Sequence, residues 1–275
     1  MSTLAIFPSI VLLYYIYKND KREKEPMNLL IGLFISGVII IIPAMIMESI
    51  IEPIVEFFFT EGSVFYAIFD GFIVAAFSEE VLKYLALKHK TWKSAEFNCS
   101  FDGIVYAVFV SLGFATFENI MYVMNGDLST AIVRMFTAVP SHACDAVYMG
   151  YFYSKAKHAN ILGNIDLEKK YIKMSLIVPI LMHGLYDCLI SFEEDIAGND
   201  IVTIGILLWL VFIVVLFFTT FELVKKASRQ DTYFYEIMNT INNDSPFKLK
   251  PGKWICSCRN INNGNYCVNC GAKRP

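Results

Sequence analysis

Charged residues are scarce in this chain of 275 residues: they make up 18%, against 56% hydrophobic residues. The mean hydropathy is +0.49. Soluble chains carry about 25% charged residues, so this composition excludes disorder and argues against an ordinary soluble domain. An excess of positive charge is also missing, with 23 Lys and Arg against 26 Asp and Glu, so nothing points to nucleic acid as a partner. Internal repeats and low-complexity segments are absent. Seven cysteines are too unevenly spread for a disulfide framework: Cys99, Cys144 and Cys188 are scattered, while Cys256, Cys258, Cys267 and Cys270 crowd the C-terminus.

Long apolar stretches take the place of charge. A membrane-crossing helix needs about 20 mostly apolar residues. Seven stretches qualify, at roughly 2–17, 28–48, 65–87, 102–124, 129–153, 172–191 and 201–222. The first lacks a basic segment before it and a small-residue cleavage site, and reads as an uncleaved span. Lys and Arg are missing altogether from 49–64, 125–128 and 192–200. They gather instead at Lys18–Lys24, Lys88–Lys93, Lys155–Lys170 and Lys225–Arg229. The positive-inside rule then puts the N-terminus outside and the C-terminus in the cytoplasm of a multi-pass cell-membrane protein. That compartment is reducing, as the clustered thiols require.

Ionisable groups inside spans are rare and are functional candidates by default. Span three carries Glu79, Glu80 and Lys83, span four Glu118 and Asn119, span five His142 and Asp145, and span six His183 and Asp187. Helical spacing lets Lys83 reach either glutamate. The same spacing gives each histidine a carboxylate on its own face, Asp145 for His142 and Asp187 for His183, to fix its tautomer. At about 1.5 Å per residue, Glu79, His142 and His183 fall near mid-bilayer, and Glu118 lies nearer the outer face. A single such residue is ordinary helix glue. Two adjacent glutamates and two histidines at matching depth are a poor way to make glue.

These groups suit hydrolysis. A carboxylate acts as general base on a water aimed at an amide carbonyl, and a second histidine or Asn119 stabilises the oxyanion. No His-Glu-x-x-His or Gly-x-Ser-x-Gly motif is present, and Ser141 beside His142 diverges from it on a helix. A metal held by glutamate and two histidines stays open. Two other readings also stay open: a proton-linked or metal-ion transporter, and a catalytically inactive membrane scaffold.

In order along the chain stand Glu79-Glu80-x-x-Lys83, Phe101-Asp102-Gly103 running into Gly113-Phe114-Ala115-x-x-Glu118-Asn119, then His142 followed by Gly150-Tyr151-Phe152-Tyr153, and His183-Gly184-Leu185-Tyr186-Asp187. Over about residues 10–222 this pattern resembles the PrsW family of intramembrane proteases, grouped with the CAAX-processing and bacteriocin-processing membrane proteases. The resemblance implies an all-α polytopic endopeptidase of glutamate or metal-dependent type, with functional positions Glu79, Glu80, Glu118, His142 and His183. It implies a membrane-anchored protein substrate, of which an anti-sigma factor is the best-known family example. Ala107 stands where the family often has Gly, and the C-terminal tail is a larger departure.

The tail carries Cys256-Ser-Cys258 and, eight residues on, Cys267-Val-Asn-Cys270-Gly271. Four thiolates suit tetrahedral structural zinc. The expected organisation is a helical protease-like domain over 1–222, a cytoplasmic linker over 223–251 with a short helix near 230–240, and a zinc ribbon over 252–275. A ribbon this small fits docking of a cytosolic protein better than a second active site.

Overall fold

Apolar stretches bounded by charge become helices, because in hydrocarbon a chain must satisfy its own backbone hydrogen bonds. The computed structural model describes residues 2–125, 128–195, 199–234, 236, 253–256, 261–268 and 271–274. The elements are α1 (Ser2–Asn19), α2 (Met27–Phe58), α3 (Val64–Phe69), a π-helical segment (Asp70–Ala76), α4 (Phe77–Thr91), α5 (Asp102–Asn125), α6 (Leu128–Phe136), α7 (Ala138–Leu162), α8 (Ile165–Asp195) and α9 (Asn199–Arg229). Two short strands follow, β1 (Trp254–Ile255) and β2 (Ile261–Asn262). Among the described residues, four helical stretches are long and apolar enough to cross a membrane: Met27–Phe58, Asp102–Met124, Ile165–Ser191 and Gly205–Arg229. The other stretches read as spans are helical too. The stretch 65–87 contains the π segment, and 129–153 is broken at Thr137 before running on to Leu162.

Outward faces identify the lipid side. On α2, Ile31, Ile35, Ile39, Ile42, Ile46 and Ile50 are all exposed, and they recur every three or four residues. On α9, Leu207, Val211, Val214 and Phe218 do the same. The central helix is α5: 78% of its span is buried, against 28% for α2 and 22% for α9. Its Phe101, Ile104, Val105, Tyr106, Val108 and Leu112 form the heart of the core. Helices α5 and α7 touch backbone to backbone, since a Cβ on Gly150 would lie 2.3 Å from the Gly103 carbonyl oxygen. A Cβ on Gly184 of α8 would lie 2.4 Å from the Phe72 ring of the π segment. These two contacts set the distances between the helices that carry the polar groups.

The segments rich in Lys and Arg meet at one end of the bundle. Arg22 pairs with Glu236, Asn98 donates to Glu23 at 3.4 Å, and Lys157 Nζ donates to the Trp92 carbonyl at 2.7 Å. There the chain after α9 forms a strap. Ser100 N–H donates to Thr232 O at 3.0 Å, Phe234 N–H donates to Asn98 O at 2.9 Å, and Cys99 bridges antiparallel to Tyr233. The linker read from residue 223 therefore begins as the last turns of α9 and this strap. The rest of it, 235 and 237–251, lies outside the described residues, and with it part of the helix expected near 230–240.

In the tail, β1 and β2 pair antiparallel, with Trp254 opposite Asn262 and Ile255 opposite Ile261. Trp254, Cys256 and Cys267 are buried against one another. Gly271, at φ 72°, donates its N–H to the Cys267 carbonyl at 2.9 Å. Cys258 and Cys270 lie outside the described residues.

Candidate active site

The π segment leads without a break into α4, whose first turn carries Glu79 and Glu80. A π turn adds a residue to the helical repeat, and such turns frequently sit at functional sites because they re-aim the side chains that follow. Lys83, one turn further on, is 1% exposed. Its ammonium donates to Glu79 Oε2 at 2.9 Å and to Glu80 Oε1 at 2.7 Å, and lies 3.1 Å from His142 Nδ1. It also sits 4.4 Å above the Phe114 ring.

Helices α7 and α8 bring the two histidines together, their ring centroids 5.0 Å apart and nearly perpendicular. His142 Nε2 lies 2.9 Å from Glu118 Oε2 on α5. A lysine ammonium can only donate, so the His142 Nδ1 lone pair faces Lys83 and its proton belongs on Nε2, donated to Glu118. Arg134 of α6 holds the other oxygen of Glu118 at 2.8 Å and stacks over Tyr122 at 3.7 Å. His183 is placed in parallel fashion: Nδ1 is 2.9 Å from Glu80 Oε1 and Nε2 is 3.1 Å from Asp187 Oδ2. Each imidazole thus turns Nδ1 inward and Nε2 toward an outer carboxylate. That is how ligand or general-base histidines are oriented.

Glu79, Glu80, His142 and His183 offer donor atoms that all lie within 4.8 Å of one another, and all four residues are buried. Two carboxylates and two imidazoles are donors that suit a borderline metal such as zinc. Among the described residues the buried Glu80 Oε2 has no hydrogen-bond partner, as befits an available ligand atom. The donor set therefore fits a divalent metal, with Lys83 as the resident positive charge beside it. A cavity of about 520 Å³ opens beside this cluster. Glu79, Glu118, His142 and His183 line it, and Glu80 does not.

Of the residues singled out in the sequence, Glu79, Glu80, Lys83, Glu118, His142, His183 and Asp187 converge on this one place. Two partnerships differ from the spacing argument. His142 takes Glu118 rather than Asp145, because tertiary packing brings α5 closer to its Nε2 than its own helical turn does. Asn119, weighed as an oxyanion donor, is turned away: it donates to the Ala5 carbonyl at 3.0 Å and accepts from Arg134 Nε at 3.2 Å. Its work is to pin α1 and Arg134. Among the contributors to the cavity that escaped the sequence reading are Glu48 and Tyr122. Glu48 carried a legible signal, an ionisable residue within a 32-residue apolar helix.

The family model for the PrsW family intramembrane metalloprotease matches residues 25–219. Among relatives, Protease PrsW of Geobacillus kaustophilus is 34% identical over 189 residues, 69% of this chain and 79% of the relative. Protease PrsW of Bacillus subtilis is 34% identical over 68% of this chain and 80% of its own length. Protease PrsW of Clostridioides difficile is 33% identical over 75% and 85%. No solved structure matches the chain.

Proposed function

We propose the following chemistry for the chain, which belongs to the PrsW family of intramembrane metalloproteases and is an intramembrane protease: Glu79 activates the water that cleaves the peptide bond. The observation that carries this choice is that Glu79 lines the cavity with both histidines, whereas Glu80 is fully buried behind it. Glu79 takes a proton from the water, and the hydroxide oxygen adds to the substrate carbonyl carbon. His183 and His142 are held by Asp187 and Glu118 with Nδ1 turned toward Glu79 and Glu80. The Glu79 carboxyl then gives its proton to the departing nitrogen as the C–N bond breaks, leaving a carboxylic acid and an amine and restoring the Glu79 carboxylate. Glu80, His142 and His183 are the residues that would hold a divalent metal, three protein ligands with an open position. Such an ion supplies Lewis acidity to water and carbonyl when bound. Lys83 offsets the adjacent glutamates, which otherwise repel each other in a low-dielectric site.

The substrate class is a membrane-anchored protein, with an anti-sigma factor as the regulatory type. Seven spans with the N-terminus outside and the C-terminus in the cytoplasm fit the meeting of all basic segments at one end. The tail is a zinc ribbon held by Cys256, Cys258, Cys267 and Cys270 that docks a cytosolic protein; the burial of Cys256 with Cys267 beside a two-stranded ladder supports it. A transporter or an inactive scaffold is not favoured, since the family is one of proteases.

The test is cleavage of a reconstituted single-span protein in liposomes, with metal content measured in parallel. Glu79→Gln should lose turnover and keep the metal, and Glu80→Gln should lose both. Full turnover by Glu79→Gln would assign the base elsewhere.

A further inference from the structure

The chain from Thr137 into α7 presents Thr137, Ser141 and Asp145 to the cavity at one-turn intervals, beside His142. Thr137 is satisfied: it donates to the Val133 carbonyl at 2.8 Å and accepts from Tyr186 at 3.1 Å. The next two are not. Ser141 is 4% exposed and Asp145 is 1% exposed, yet Ser141 Oγ and Asp145 Oδ1 have no hydrogen-bond partner among the described residues. Buried polar atoms are nearly always paired, and residues that merely glue helices together are paired by definition. The charged neighbours of Asp145 are Glu80, Lys83, His183 and Asp187, so it stands at the chemical end of the row.

A helical substrate hides its carbonyls within its own hydrogen bonds and must be unwound to be cut. In hydrocarbon the freed N–H and C=O groups each need a new partner. Along one edge of an extended chain, such groups recur every two residues, about 6.6 Å. Side chains one helical turn apart recur at about 6 Å. Ser141 and Asp145 thus offer a hydroxyl and a carboxylate at nearly the spacing of an extended peptide edge, beside Glu79.

Resting on the protease reading, we infer that Ser141 and Asp145 form a clamp for the backbone of the unwound substrate next to the scissile bond. Asp145 accepts one substrate N–H, and the Ser141 hydroxyl accepts the N–H two residues along the same edge. The recognition is of main chain, so the substrate class it defines is any locally unwound span rather than one side-chain sequence.

The probe is a synthetic single-span peptide with a fluorophore and quencher, prepared as a series in which one backbone amide at a time is replaced by an ester. An ester lacks the N–H and little else. Binding is measured on the Glu79→Gln protein and turnover on the protein with Glu79 intact, both in liposomes. One ester near the cleavage site should weaken binding about tenfold, the loss of a hydrogen bond to a charged group. Adding Asp145→Ala should abolish that discrimination, and Asp145→Asn, which keeps an acceptor and the side-chain shape, should retain it. Ser141→Ala should raise KM more than it lowers kcat. The same ester penalty in the Asp145→Ala background, or no penalty at any position, overturns the clamp. If the unmodified peptide is cut but esters make no difference, the protease reading stands and the clamp falls. If nothing is cut, the protease reading fails, while the ester series still decides the clamp through binding.

Discussion

Two clusters of buried acids lie in this molecule, and they are built on opposite principles. In the cavity cluster four carboxylates have a cation or an imidazole: Glu79 and Glu80 have Lys83, Glu118 has Arg134 and His142, and Asp187 has His183. At the basic end of the bundle, Asp20, Glu25, Asp102 and Asp231 are also buried, with few cations among them. There the partners are neutral. Glu25 accepts from the Tyr106 hydroxyl at 2.5 Å, Asp102 from the N–H groups of Asn98 and Cys99, and Asp231 from Ser100 and the Phe101 N–H. Both oxygens of Asp20 lack a partner. Burial pushes the Asp20 carboxyl up to about 7, against the pull of Lys24, with Asp231 adding to the rise. Burial likewise pushes Glu25 up to about 8, even though the Tyr106 hydrogen bond opposes it. The comparison teaches that burial alone does not make a carboxylate reactive. A paired cluster keeps ionised groups for chemistry, whereas an unpaired one holds protons and fastens the strap.

Substitutions at the two clusters should diverge. The largest effect belongs to the cavity: Glu79→Gln should lower kcat about a hundred- to ten-thousand-fold, the span of general-base contributions, in the liposome cleavage assay. Next come the residues that orient His142. Glu118→Gln and Arg134→Gln should each cost about 10–100-fold in activity or metal affinity, visible by turnover and metal titration. Unchanged values in both would remove the orienting role.

Metal in the tail should be separable from both clusters. Cys256→Ser with Cys267→Ser should release one zinc per chain and unfold the strand pair, because so small a fold takes its stability from the metal. Metal analysis and the melting temperature of the helical part check this, and a core that melts earlier would tie the tail to the bundle.

The smallest effects belong to the strap cluster. Asp20→Asn should leave stability unchanged or slightly raised, since it removes a buried acid with unpartnered oxygens. The pH response has a definite sign. With carboxyls that titrate near 7 and 8 in the fold but near 4 when unfolded, the native state holds protons that the unfolded chain releases. Their stabilising contribution is therefore full at low pH and is lost as pH rises through about 7 to 8. Hydrogen exchange at Ser100 and Phe234 should quicken between pH 6 and 9, and less so in Asp20→Asn. No change in either protein would mean that these acids do not hold the strap.

Much of the helical architecture was legible because hydrocarbon permits few alternatives. The exposed isoleucine face of α2 and the apolar face of α9 follow from periodicity alone. The site was legible as a set of residue types, since Glu79, Glu80, His142 and His183 are improbable in a membrane without a purpose. The break at Thr137 carried a signal that went unread: Pro140 lacks the N–H that would continue the preceding helix and so suits the first turn of a new one. Glu118 as the partner of His142 was not legible, since sequence spacing ranks Asp145 first and only the α5–α7 contact at Gly103 and Gly150 reverses that.

What the sequence by itself determined is the solvent and the chemistry: apolar spans, basic segments at one end, and acid–imidazole groups at one depth. These depend on composition and on local periodicity, which a chain carries before it folds. Tertiary structure alone decided which carboxylate meets which imidazole, that Glu79 rather than Glu80 faces the cavity, that Asn119 turns away, and that Ser141 and Asp145 are left unpaired. Those outcomes rest on distances between helices of about an ångström's tolerance. Such distances are set by the side chains, or the glycines, at every crossing.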